Sequence, residues 1–250
     1  MKSQNSRAKN GAGILYESDY NMSGSSKISA LKITNEAQRQ QALQVLSVIY
    51  CQEKNWVGDV DKIFEASDMT HPSVSWFLAL SDEEPVGVLR ILYEPPLELY
   101  KEYGFKKLDC PIDVEFCVKN LKIAEIGRFA VLPQHRRNVS IVAALMKLAV
   151  MDTLERGFTH YITDIFEGEV HSPYQFHTRV MGFIPVATHD VGELNCPNRR
   201  ITMVLDLADC YHRTKKNGGW IFRVLTADWD EELHRKMESS VPLIRSPLPD

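Results

Sequence analysis

The chain has 250 residues, of which 44% are hydrophobic and 25% charged, and a formal net charge of −4. That balance excludes a largely disordered chain and lacks the basic excess of a dedicated nucleic-acid binder, so no nucleic acid is expected as a partner. The five cysteines (Cys51, Cys110, Cys117, Cys196 and Cys210) include no CxxC pair, which argues against a disulfide framework or a structural zinc site and for a reducing, cytoplasmic setting. No apolar run reaches the ~18 residues of a spanning helix, so no transmembrane segment is expected, and the N-terminus has no apolar signal core.

Residues 1–28, rich in Ser, Asn, Gly and Lys, read as a flexible N-terminal arm, and 239–250, with Pro242, Pro247 and Pro249, as a C-terminal tail. The stretch between them, 29–238, is expected to form a single domain. Its first elements are a strand at 28–33 and, capped by Thr34, a helix over roughly 36–52 with Ala42, Val45, Leu46 and Ile49 on one face. Alternating residues 75–80 and 86–92, joined by the polar run Ser81-Asp82-Glu83-Glu84-Pro85, predict a β-hairpin. The segment 94–122 holds Pro95, Pro96 and Pro111 and reads as an irregular insertion over one end of the sheet. A strand at 124–131 ends at Pro133. The helix at 139–155 is apolar over most of its circumference and stops at Gly157, so it should lie against a sheet. Strands follow at 161–166, 183–187 and 200–207, with a short helix at 173–181 and one more strand and a helix within 218–238. This order predicts an α/β fold in which 124–166 is a right-handed parallel crossover.

Two features of these strands carry chemistry. Arg90 sits in an otherwise apolar strand and, if buried, needs an anionic partner; it either orients a substrate carboxylate or forms a structural salt bridge. Glu125 and Arg128 interrupt the apolar strand 124–131. Strict alternation would put them on opposite faces, whereas a bulge at Ile126-Gly127 would bring them towards one face. They are either catalytic or an ion pair at the sheet end. His171, His177, His189 and Cys196 have no recognised metal spacing, and no metal site is expected.

The element order, together with Ala124-Glu125-Ile126-Gly127-Arg128-Phe129-Ala130-Val131 and the following Pro133-Gln134-His135-Arg136-Arg137, resembles the superfamily of Gcn5-related N-acetyltransferases over about residues 30–210. The resemblance implies a mixed, mostly antiparallel central sheet with helices on both faces and a central parallel strand–helix–strand crossover. In that superfamily the turn after this strand reads Arg/Gln-x-x-Gly-x-Gly/Ala, and its amides bind the pyrophosphate of coenzyme A. Here it is Gln134-His135-Arg136-Arg137-Asn138-Val139, with Arg137 and Val139 in place of both glycines. Such a turn fits coenzyme A less well and suits a phosphate carried on a protein.

Two relatives that take acyl groups from acyl carrier protein are closer: the long-chain N-acyl amino acid synthases and the acyl-homoserine lactone synthases. Both resemble this chain at Glu125-x-x-Arg128-Phe129 and at Gly87-x-x-Arg90. The run from His171 through Tyr174 and His177 to Phe183, and Gly192-Glu193-Leu194-Asn195-Cys196, look closer to the N-acyl amino acid synthases, whereas Trp56, Asp59 and Asp61 could match the lactone synthases. The implied activity is an N-acyltransferase moving a fatty acyl group from acyl carrier protein to an amino acid or related amine. Glu125 would be the base, Arg128 and Arg90 would steer the acceptor carboxylate or hold the site together, and backbone donors near Phe129–Val131 would hold the oxyanion. His177 would return a proton to the leaving thiolate. Gln134, His135, Arg136, Arg137 and Asn138 would bind the donor phosphate or carrier, with Trp56 and Tyr174 against the substrate. No tightly bound cofactor is implied; the donor is an acyl-phosphopantetheine on carrier protein, or acyl-coenzyme A. The competing readings are a lactone synthase using S-adenosylmethionine, a coenzyme A-dependent acetyltransferase, and a degenerate adaptor that binds acyl carrier protein without turnover.

Overall fold

The computed structural model describes residues 16–17, 26–95, 102–110, 112, 114–169 and 172–244. Most of the expected N-terminal arm, the end of the expected tail, part of the 94–122 insertion and His171 lie outside the described residues. In chain order, the elements begin with β1 (Tyr16–Glu17), β2 (Ile28–Lys32) and helix α1 (Glu36–Leu46). Asn35, not Thr34, caps α1: its Oδ1 accepts from the Gln38 amide at 3.0 Å, while Gln38 Oε1 accepts from the Thr34 amide at 2.8 Å. This is a reciprocal cap of the capping-box kind. The helix continues as wider π-helical turns over Ser47–Glu53, a winding that is often found at functional sites.

Strands β3 (Val74–Ser81) and β4 (Glu84–Tyr93) form the expected hairpin, turning through Asp82 and Glu83 at φ +49° and +72°. Within the expected insertion the described residues contain β5 (Lys106–Lys107) and helix α2 (Val114–Asn120). Then come β6 (Ile123–Val131), helix α3 (Val139–Glu155), β7 (His160–Phe166), a π-helical segment Phe176–Met181, β8 (Ile184–His189) and β9 (Arg200–Asp206).

Three helices close the chain: α4 (Leu207–Lys216), α5 (Trp220–Leu225) and α6 (Glu231–Ser239). The sequence reading missed α4 and placed a strand within 218–238. There Ile221, Phe222 and Leu225 turn one helical face to the core. In α4, Asp206 caps the amides of Ala208 and Asp209, and its other oxygen accepts from the amides of Leu243 and Ile244. The first residues of the expected tail are thereby held, and Ile244 is buried.

The sheet order is β1-β2-β3-β4-β6-β7-β9-β8-β5. All neighbours are antiparallel except β6 and β7, joined by α3 as the expected parallel crossover. Alternate residues of β3 serve the two faces: Trp76 and Leu78 face α1, while Phe77 and Ala79 face α3. The helices thus cover both faces, with α4 to α6 joining the α3 side and α2 covering Ile162, Ile184 and Val204. Each fully buried Leu, Ile or Phe contributes about 1.5–3 kcal/mol.

Three contacts fix α3. Gly87 has no side chain where a Cβ would lie 3.0 Å from Ile141 and 3.2 Å from Leu145, so α3 approaches β4 closely. Gly87→Val should push the helix off the sheet and cost about 1–3 kcal/mol, read as a lower urea midpoint with unchanged slope. Asp152 accepts from Lys32 Nζ (2.7 Å), Ser75 Oγ (2.7 Å), Tyr93 Oη (2.6 Å) and Arg156 Nε (3.2 Å). The buried Lys147 pairs with Asp228 at 2.5 Å, tying α3 to the connection between α5 and α6.

Candidate active site

The register between β4 and β6 runs Arg90↔Gly127 and then Val88↔Ala130, so Arg128 and Phe129 together face Leu89. This is a β-bulge, and Arg128 has φ +50°. It lies one to two residues beyond the expected Ile126-Gly127, but it has the expected effect: Glu125 and Arg128 line the same cavity. Gly127 has a different task. A Cβ there would lie 2.9 Å from Glu125 Oε1 and 3.2 Å from Arg90 Nη2, so the missing side chain makes room for the Arg90–Glu125 ion pair, formed at 2.7 Å.

Among the described residues Glu125 and Arg128 pair with other partners, not with each other. Glu125 pairs with Arg90, and Arg128 pairs with Glu193 on the loop before β9. Burial works against the Arg90 charge, yet Glu125 and Glu193 outweigh it and hold the guanidinium above its ordinary pKa. Arg200 secures that loop by donating to the carbonyls of Asp190 (2.9 Å) and Leu194 (2.7 Å).

Strands β6 and β7 are paired only at Ile123↔His160, Ala124↔Tyr161 and Glu125↔Ile162. Thr163 Oγ1 then donates to the Ile126 carbonyl at 2.9 Å, and beyond it no pairing joins the two strands among the described residues. A cavity of about 860 Å³ opens in this gap. Its polar side carries Glu125, Arg128, Glu193, Asp164, Tyr50 and Tyr103, with the pairs Lys54–Glu169 and Arg136–Glu53 at its rim. The other side is apolar, between α3, the 176–181 segment and α5.

Of the residues singled out in the sequence, Trp56, Glu125, Arg128, Phe129, Val131, Arg136 and His177 line this cavity. Trp56 packs at a tilt against Phe166, ring centroids 4.4 Å apart, with the Lys54 ammonium 5.5 Å from the centre of its ring. Arg90 stands behind Glu125 and does not line the cavity. Gln134, His135, Arg137 and Asn138 form the turn into α3 outside the lining; Asn138 Oδ1 caps the helix by accepting from the Ser140 amide at 3.1 Å, and Arg137 is exposed. Tyr174 packs on the main core, away from the lining. Asp59 caps a short turn and Asp61 pairs with Arg39 at 2.7 Å, and neither lines the cavity.

Sequence reasoning assigned no role to Tyr50, Tyr103, Asp164 or Glu193. Tyr103 lies in the irregular 94–122 segment, and Tyr50 sits on π-helical turns that α-helical spacing does not place; Glu193 alone stood in a quoted motif. Burial raises the pKa of the Tyr50 phenol, with Arg128 and Arg90 opposing. Tyr103 is raised by burial and then by Glu193 and Glu125. Burial lowers the pKa of His177; its Nδ1–H donates to the Pro173 carbonyl at 3.0 Å, leaving the Nε2 lone pair on a neutral ring at pH 7.

A carboxylate beside a bulged strand, at the mouth of a gap between parallel strands, suits the aminolysis of a thioester: a base for the amine, and backbone donors for the oxyanion. Among the described residues there is no cluster of three His, Cys, Asp or Glu that could hold a metal, and no helix long and apolar enough to cross a membrane.

No curated protein matches the chain in sequence. Among solved structures, FeeM, an N-acyl amino acid synthase from uncultured soil microbes, is similar at a TM-score of 0.57 and 16% identity, over 76% of this chain and 96% of that one. Escherichia coli ElaA has a TM-score of 0.47 at 16% identity, over 71% and 99% of the two chains. The aminoglycoside 6'-N-acetyltransferase from Enterococcus faecium has a TM-score of 0.48 at 16% identity, over 78% and 97%. Residues 40–183 match the model of the acetyltransferase (GNAT) family. With its open, mostly antiparallel sheet and single parallel pair, the chain belongs to the acetyltransferase (GNAT) family and is an acyltransferase, moving an acyl group from a donor to an amine.

Proposed function

We propose that the donor is a fatty acyl group on the phosphopantetheine of acyl carrier protein and the acceptor an amino acid or related amine. The observation that carries this reading is the apolar side of the 860 Å³ cavity, far larger than an acetyl group needs. Each methylene buried there contributes about 0.8 kcal/mol. The likeness to an N-acyl amino acid synthase points the same way.

Glu125 takes the amine proton, directly or through water, and the ion pair with Arg90 holds its carboxylate in place. Backbone donors near Phe129–Val131, beside the bulge, hold the oxyanion. Arg128 receives the acceptor carboxylate by exchanging it for Glu193, with Trp56 as a wall on the acceptor side. His177, neutral at rest, returns a proton to the thiolate after taking one from the amine. Arg136 at the rim, with His135, Gln134 and the exposed Arg137, faces the donor phosphate or the carrier, and the Asn138 cap holds α3 beneath them. Tyr174 supports the turn that carries His177. Asp59 and Asp61, engaged in local structure away from the cavity, give no support to a lactone synthase.

The test offers coenzyme A and carrier-protein thioesters, from acetyl to palmitoyl, with a pool of amino acids, following thiol release and product mass. N-acyl amino acids with long chains, formed faster from carrier protein, are expected. Acetyl transfer from coenzyme A alone overturns the reading. So does a homoserine lactone formed with S-adenosylmethionine, or carrier binding without thiol release from any donor.

A further inference from the structure

The apolar side of the cavity has a definite inner end. Val139, Val142, Ala143 and Met146 line it from successive turns of α3, from the exposed Val139 at the first turn inwards to Met146. At 1.5 Å per residue this wall is about 10 Å long. Behind it lies a second, separate void of about 30 Å³, roughly the volume of one water molecule. Met146, Met181 and Leu225 line both spaces, so these three side chains are the partition between them. Beyond the partition the void is bounded by apolar and aromatic groups, among them Tyr161, Leu205 and Trp229.

The partition is assembled from separate elements: α3, the π-helical segment and α5. The Lys147–Asp228 pair, one residue along α3 from Met146, anchors the connection that follows α5. Both methionines are unbranched and flexible, so the partition can adjust to a change at its third member. A chain entering along α3 meets these three side chains end-on.

We infer that Met146, Met181 and Leu225 form the stop for the terminal methyl of the acyl chain and so set the chain length the enzyme accepts; this rests on the reading of the cavity as a fatty-acyl site. Leu225, half-buried on α5, is the position to vary. Leu225→Ala joins the cavity to the void behind it and favours longer chains. Leu225→Phe advances the stop and favours shorter ones. One methylene gained or lost in an apolar pocket changes discrimination by roughly 10–200-fold.

The experiment measures kcat/KM for each protein with straight-chain saturated acyl-coenzyme A thioesters from acetyl to palmitoyl, and thermal stabilisation by the corresponding free fatty acids. The two substitutions are expected to move the preferred length in opposite directions, with at least a tenfold change in the ratio between neighbouring even-numbered donors. The stabilisation profile should move with it. A wild-type enzyme that uses long donors while both variants keep its length profile overturns the stop. A wild-type enzyme that uses only acetyl and gains no stability from any fatty acid overturns the fatty-acyl reading instead. If one variant does not fold, the other still decides, since either shift alone must occur in its stated direction.

Discussion

Glu125→Gln is expected to lose about 10²–10⁴-fold in kcat/KM while remaining folded. The amide keeps an oxygen for the Arg90 hydrogen bond but cannot take a proton from the amine. The pH profile should distinguish a base from a structural role. Without a base only the free amine attacks, so the residual rate of the variant should climb with pH towards the acceptor's own pKa. Glu125→Ala is the harsher change, because it strips the carboxylate from a buried guanidinium; losses of that kind run to about 3–5 kcal/mol. Turnover of Glu125→Gln equal to wild type well below the acceptor's pKa, where the amine is protonated, would remove Glu125 from the mechanism and leave it as the partner of Arg90.

The largest effect on stability is expected at Asp152. Asp152→Ala leaves the Lys32 ammonium and the Tyr93 and Ser75 hydroxyls without their shared acceptor, and Tyr93 is almost wholly buried. Because Lys32 is partly exposed, the loss is set at roughly 3 kcal/mol. For a chain of this size that lowers Tm by roughly 6–12 °C. Burial alone would raise the Asp152 pKa, but hydrogen bonds from Lys32, Ser75 and Tyr93 bring it below the ordinary value. Stability from a lowered carboxyl pKa is fully present above the unfolded value of about 3.9 and is lost as pH falls through the folded value. The variant should therefore have a flatter acid limb in Tm against pH. A limb as steep as that of wild type would show that other carboxylates govern acid unfolding.

The architecture was legible where local signals and packing agree. The two polar residues of the β3–β4 turn, the apolar circumference of α3 and the stop at Gly157 sufficed for the hairpin and the crossover. They failed near 207–225, where α4 displays its basic residues and α5 is a short apolar run whose length fits a strand or a helix; only the shared core with α3 fixes these as helices. In the site, Glu125, Arg128 and Phe129 could be read from one strand. Their partners could not, because Glu193 reaches Arg128 across 65 residues and Arg90 reaches Glu125 across 35. Gly127 illustrates the limit: a glycine in a strand suggests a bulge, yet the bulge sits one step later and the glycine clears space for an ion pair.

The short ladder between β6 and β7 has a consequence for how this sheet is protected. Unpaired strand edges usually recruit foreign strands and lead to aggregation. Here the two edges that diverge after Glu125 and Ile162 face each other inside the molecule, enclosed by α3, the 190–194 loop and the π-helical turns. Walled in on those sides by the molecule itself, the diverging edges are shielded from the edge-to-edge pairing that exposed strands invite.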